Sequence, residues 1–150
     1  MFKKLKAVFY QQISQGVSSR ELALSCALAL VFGIFPLFGT TTLLCFLAGI
    51  SFRLNQPVLQ SLNYLFSPLQ LIGIPIFLYL GESALGLPHL TVNPLEIPGQ
   101  FANDWRLFLS QYGMAGVHAV FAWAAISPIL GILTYYFSKK IFDQMKGLKK

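Results

Sequence analysis

The sequence predicts an all-α protein, an integral membrane helical bundle with broken, re-entrant helices and an N-terminal interfacial amphipathic helix. Its 150 residues are 55% hydrophobic and 11% charged, whereas a soluble domain carries about 25% charged residues. The charged residues leave three uncharged runs, 22–52, 54–81 and 107–138. Each run exceeds the about 20 apolar residues that cross a bilayer as a helix. We therefore expect one membrane domain, residues 1–150.

The positive charges gather at the two ends of the chain. Three lysines lie within the first six residues and five within the last twelve, and the net charge is +6. Lysines beside apolar runs set the orientation of a membrane protein and contact anionic lipid heads. Both termini are therefore expected in the cytoplasm, with membrane lipids as partners. No nucleic-acid partner is expected, because no soluble domain remains to bind one.

Residues 1–17 are predicted to form a short amphipathic helix in the membrane interface. Its apolar residues recur at steps of three and four, and its lysines lie mostly off that stripe, which consists of Phe2, Leu5, Phe9 and Ile13. Ser18 and Glu21 then form an S-x-x-E capping box. Such a box satisfies backbone donors at the start of a helix, so a new helix begins here.

Residues 18–81 are predicted to hold a broken-helix hairpin followed by a kinked span. As one helix, the 31 residues of the first run would reach about 46 Å, whereas the hydrocarbon core is about 30 Å thick. Two crossings would need about 40 residues and a turn. Gly33, Pro36 and Gly39 favour a break. A re-entrant hairpin of two half-helices fits best, and four full crossings are the alternative.

Five uncharged polar residues recur in the second run at steps of four, three, four and three, which places them on one helix face. They are Gln56, Gln60, Asn63, Ser67 and Gln70. Amides in hydrocarbon are costly unless paired, so this polar stripe should face the bundle or a wet cavity. Pro68 and Pro75 should kink the helix that carries the stripe.

The segment 82–106 is the only sizeable polar stretch and is predicted to be an external loop. It carries three acidic residues and one arginine, a net charge of −2, so the basic bias of the ends places it outside the cytoplasm. Residues 107–150 then form the return span and the basic cytoplasmic tail.

The broken segment is a candidate anion site. If the second half-helix begins there, its exposed N–H groups, its dipole and three hydroxyls would face an anion; these residues are Gly39, Thr40, Thr41 and Thr42. The competing interpretation is that the threonines bond to helix carbonyls, as they often do in membranes.

Few other residues suggest chemistry. His118 is an ionisable side chain within the third run, which indicates either a functional group or a hydrogen bond between helices. Cys26 and Cys45 are expected to be buried hydrophobes. The runs contain no Asp or Glu, so the usual carboxylate of a proton-coupled transporter is missing. No catalytic, phosphate-loop or metal-ligand pattern is present, and we expect no enzyme, cofactor or metal site.

A weak internal repeat appears at an offset of 92 residues. Ile34-x-Pro36-x-x-Gly39-x-x-Thr42 matches the stretch from Ile126 to Thr134 at four positions. Transporter folds often carry weak repeats with broken helices at corresponding positions. The alternatives are coincidence or simple kinking at a proline.

Residues 18–86 resemble a bacterial membrane family known as domain of unknown function 2062. The matching features are an Ala-rich helix leading into Gly33-x-x-Pro36-x-x-Gly39, the Arg53-Leu54-Asn55 step and a Pro-containing block that ends at Gly81. The family carries an Asn-Pro pair near Ser67-Pro68, where Ser here replaces Asn. The resemblance implies a small, multi-pass protein of the bacterial inner membrane with no established activity.

The leading functional hypothesis is a protein that binds or helps to move a lipid or another anionic amphipathic solute, such as a polyprenyl phosphate. It rests on Arg53 near the cytoplasmic face, on the broken segment and on the polar stripe. The alternative is a structural or assembly subunit, in a homo- or hetero-oligomer, whose polar stripe docks a partner helix.

Overall fold

A computed structural model describes residues 17–147 except 38, 92 and 94. Within these residues the chain forms five helices and no strand: α1 Ser19–Gly33, α2 Thr41–Ser51, α3 Gln56–Leu85, α4 Ile97–Asn103 and α5 Trp105–Gly147. The all-helical prediction is confirmed. The predicted interfacial helix lies outside the described residues except for its last residue, Val17.

The first apolar run folds as two short helices with a break between them. The predicted capping box starts α1: Ser18 N–H donates to Glu21 Oε2 at 2.9 Å, and Glu21 N–H donates back to Ser18 Oγ at 3.1 Å. Helix α1 has 15 residues and α2 has 11, about 22 and 16 Å. Each is shorter than the about 30 Å hydrocarbon core, so neither could cross it alone.

Helix α3 is continuous over 30 residues and runs through both Pro68 and Pro75. Its first turn is capped by Asn55, whose Oδ1 accepts a hydrogen bond from Val58 N–H at 3.2 Å. It ends at Gly86, which has the left-handed conformation that a helix end favours and glycine adopts without strain.

Helix α5 is continuous over 43 residues and contains Pro128. Asp104 caps its start, because Oδ1 accepts hydrogen bonds from the N–H groups of Arg106 and Leu107, each at 3.0 Å. The second copy of the repeat, 126–134, lies inside this helix, whereas the first copy, 34–42, lies in the break. The two copies therefore do not form a pair of corresponding broken helices, because Pro128 lies within a continuous helix.

Helices α1 and α5 run antiparallel. Lys146 Nζ donates to the carbonyl oxygen of Val17 at 3.0 Å, and Trp123 Nε1 donates to that of Val31 at 3.0 Å. The first and last described turns therefore lie together at one end of the molecule, which we call the basic end. Residues of α1, α2, α3 and α5 form a core cluster there, and a second cluster joins Ile34 to α3 and α5 further along.

Two helices, α3 and α5, are long and apolar enough to cross a membrane, and α2 is a shorter apolar helix. Helix α5 contacts α3 at Gly81, where an added Cβ would collide with the backbone carbonyl of His118. Glycine is required here because the two backbones are in contact.

Candidate functional site

The polar stripe on α3 faces the broken segment, with α2 continuing alongside it. Gln70 Nε2 donates to the carbonyl oxygens of Phe35 at 2.8 Å and Leu37 at 3.3 Å. Toward the basic end, Gln60 Nε2 donates to Thr42 O at 3.2 Å and Gln56 Nε2 to Phe46 O at 2.9 Å. The stripe thus supplies donors to carbonyl groups of α2 and of the turn that precedes it.

Asn63 is the most buried member of the stripe, at 1% exposure. It faces the end of α1: an added Cβ on Gly33 would lie 3.4 Å from Asn63 Oδ1. That oxygen has no hydrogen-bond partner among the described residues, and neither do the buried Oε1 atoms of Gln56 and Gln60. Ser67 differs, because its hydroxyl donates to Tyr64 O of its own helix at 2.9 Å.

The predicted anion site forms the turn between α1 and α2. Gly39 has the left-handed conformation, with φ of +81°. Thr40 precedes α2 and its side chain does not cap the helix; its hydroxyl donates to Leu37 O at 2.9 Å. Thr41 is buried and Thr42 is exposed. The Thr40 hydroxyl is therefore used within the turn, on a carbonyl group that lies outside both helices.

An apolar cavity of about 540 Å³ adjoins this turn, and sequence reasoning missed it. Its floor is the turn, at Pro36, Leu37 and Thr40, and its walls come from α3, α4 and α5. On the α3 side, Ile74 and Leu78 line it, beyond the point at which Gln70 holds the turn. Small residues of α5 leave the space: Gly113, Ala115, Gly116 and Ala119. Their clustering was the available sequence signal.

Arg53 lies away from this cavity and from the threonine turn, although the sequence hypothesis placed Arg53 in one site with the turn and the polar stripe. It lines a separate cleft of about 270 Å³ with Glu21 and Asn55 at the basic end. Along α3, Asn55 and Ile74 are 19 residues apart, or about 28 Å. The structure therefore brings the threonine turn and the cavity together, joins the polar stripe to the turn through Gln70, and leaves Arg53 at the other end of the stripe.

Glu82 is a buried acid that the sequence analysis assigned to the external loop. It lies in the last turns of α3 at 3% exposure. Its Oε2 accepts a hydrogen bond from Leu90 N–H at 3.0 Å and lies 3.5 Å from His89 Nδ1. The His89 ring stacks on Tyr79 with a centroid distance of 4.3 Å. Glu82 thus ties the segment after α3 back onto the helix.

The remaining residues that sequence analysis singled out lie inside the bundle. His118 faces α3, and its buried Nδ1 has no partner among the described residues. Cys26 and Cys45 are free and buried within the cluster at the basic end, as expected for small hydrophobes.

Comparison with known proteins gives one match. Residues 2–150 match the family described as an uncharacterized protein conserved in bacteria (DUF2062). No curated protein and no solved structure matches the chain. The match extends well beyond the segment 18–86 whose motifs suggested it, and the chain therefore belongs to the DUF2062 family.

Proposed function

We propose that the protein is a multi-pass protein of the bacterial inner membrane, spanning it with α3 and α5. The two helices expose large apolar side chains along much of their length, including Ile72, Ile76, Phe121 and Ile132, and such surface needs a non-aqueous neighbour. Tyr135 follows Trp105 by 30 residues in α5, which corresponds to about 45 Å of helix. That length matches a bilayer with its interfaces, where Trp and Tyr concentrate. The lysines place the basic end in the cytoplasm.

In this orientation α1 and α2 form a re-entrant hairpin from the cytoplasmic side. Gln70, which holds the turn, is in the middle of α3, whose bounds are Gln56–Leu85. The turn therefore lies near the centre of the membrane. Irregular backbone at that depth requires polar partners, and the amide of Gln70 is one of them. The segment after α3, with Glu82 and His89, then lies on the outer side.

The function that this geometry supports best is the binding or movement of a lipid or similar amphipathic anion. The cavity carries this proposal: its volume lies within the about 300–1,000 Å³ of small-molecule sites, and its walls are almost wholly apolar, which suits a hydrocarbon chain. Its floor adjoins the start of α2, where a helix dipole favours an anionic group. A phospholipid or a polyprenyl phosphate combines these two features. No catalytic step is proposed.

The proposal is tested by filling the cavity. Gly113 lines it, and an added Cβ there meets no atom within 4 Å, so Gly113→Leu should occupy the space without a clash. Binding of a fluorescent single-chain fatty acid to the purified protein should weaken at least tenfold. The neighbouring Met114 is 68% exposed, and Met114→Leu is the matched control. Equal binding by wild type and Gly113→Leu would reject the proposal.

The alternative of an assembly subunit rested on the polar stripe. Gln56, Gln60 and Gln70 donate to carbonyl groups of the chain's own α2 and of the turn before it, so the stripe already has a docking partner within the chain. Copurification of a stoichiometric partner that is lost when Gln60 and Asn63 become leucine would favour the assembly role instead.

A further inference from the structure

The corner between α2 and α3 places an arginine where a helix end usually carries glycine. Arg53 N–H donates to Ile50 O at 3.2 Å and Leu54 N–H to Gly49 O at 2.8 Å. This pair of bonds is a Schellman motif, which requires a left-handed residue. Arg53 is that residue, with φ of +53°, and it is the only described non-glycine residue with positive φ.

The end of α3 contains the same motif with a glycine at the left-handed position. Gly86 N–H donates to Ser83 O at 3.2 Å and Leu87 N–H to Glu82 O at 2.9 Å. Gly86 has φ of +66°, which glycine adopts without a Cβ clash. Arginine at the equivalent position carries backbone strain. Residues with strain of this kind cluster at functional sites.

The Arg53 side chain has no partner that explains its position. It is exposed, lines the cleft of about 270 Å³, and forms no hydrogen bond or ion pair with a described residue. Glu21 lines the same cleft, but its Oε2 already accepts from Ser18 N–H and Ser18 Oγ, each at 2.9 Å. Lys146 Nζ lies 3.0 Å from the carbonyl oxygen of Val17, another lining residue.

We infer that this cleft is a binding site for a phosphate group, with Arg53 as its principal ligand. Among the described residues, the charged ones that line the cleft are Arg53 and Glu21. The Glu21 carboxylate is hydrogen-bonded to Ser18, whereas the Arg53 guanidinium is free to bind a phosphate group through two parallel hydrogen bonds. The phosphate belongs either to a phospholipid head or to a soluble phosphate. The site lies about 28 Å from the cavity along α3, so the inference does not depend on the cavity's ligand.

The test compares three variants of the full-length protein. Arg53→Gly removes the guanidinium and relieves the backbone, so its melting temperature should equal or exceed that of the wild type. Its affinity for short-chain phosphatidic acid, measured by native mass spectrometry, should fall at least about tenfold, the loss expected for hydrogen bonds to a charged group. Arg53→Lys should show intermediate affinity, and Arg20→Gln, on exposed α1 surface, should bind like the wild type.

Two outcomes would overturn the inference. Arg53→Gly could bind as well as the wild type, or it could unfold at a lower temperature, which would show that Arg53 has a structural role. Titration with inorganic phosphate distinguishes a phospholipid head group from a soluble phosphate as the ligand. Binding of inorganic phosphate that Arg53→Gly abolishes supports the site with a soluble ligand, and binding of the lipid alone supports it with a head group. The Gly113→Leu variant should bind phosphate normally, so failure here is separable from failure of the cavity proposal.

Discussion

The side-chain amide of Gln70 lies 2.8 Å from the carbonyl oxygen of Phe35. This bond joins the middle of α3 to the turn that separates α1 from α2. The turn contains Pro36. Because proline has no N–H, it cannot donate a helical hydrogen bond to a backbone carbonyl group in this part of the chain. Gln70 thus holds a break in an apolar chain against a neighbouring helix, and it sets the floor of the cavity beyond.

Gln70→Leu should destabilise the protein by about 1–3 kcal/mol, because the carbonyl groups of Phe35 and Leu37 lose a buried donor. The melting temperature in detergent measures this loss. Ser67→Ala is the matched control, since Ser67 bonds only to its own helix and should change little. A melting temperature for Gln70→Leu equal to that of Ser67→Ala would show that the bond is unimportant.

Gly81→Ala should destabilise the contact between α3 and α5. The added methyl group would collide with the backbone of His118, which cannot move as a flexible side chain could, and overpacking of this kind costs about 1–3 kcal/mol. Gly113→Ala, where the methyl group meets open space, should leave the melting temperature unchanged or raise it. If both variants melt alike, the two backbones are not in contact.

The capping box predicts a pH dependence for α1. Hydrogen bonds from the backbone and side chain of Ser18 lower the pKa of Glu21. A carboxyl group whose pKa is lowered by folding stabilises the protein above its unfolded pKa, about 4.3, and this contribution disappears as pH falls through the lower folded value. The melting-temperature difference between wild type and Glu21→Gln should therefore be largest near neutral pH and shrink in acid. A difference that stays constant down to pH 3 would contradict this role.

Cys26 and Cys45 should be joined by a short, membrane-permeable thiol crosslinker. Both lie in one core cluster on neighbouring half-helices, whereas 19 residues of continuous helix would separate them by about 28 Å. Cys26→Ser controls for modification at one site, and mass spectrometry of the intact protein detects the linked species. Only single-site adducts would argue against the hairpin.

Local chemistry made part of the fold predictable. The Ser18–Glu21 box, the break around Pro36 and the amide face of α3 all depend on short spacings within one segment, and the structure contains them. The repeat at 126–134 did not indicate a second break, because Pro128 lies within a continuous helix. The cavity and the buried Glu82 were missed because each depends on contacts between distant segments: α5 against the turn for the cavity, and Leu90 folding back for Glu82.

The most direct test of lipid binding in the cavity is photocrosslinking with a fatty acid that carries a photoreactive group on its chain. Tyr112 lines the cavity, and Tyr136 on the same helix is 67% exposed on its outer surface. We predict that labelling of Tyr112 saturates and is competed by unlabelled fatty acid, while labelling of Tyr136 rises in proportion to the probe. Non-saturating labelling at both tyrosines would contradict a lipid-binding cavity.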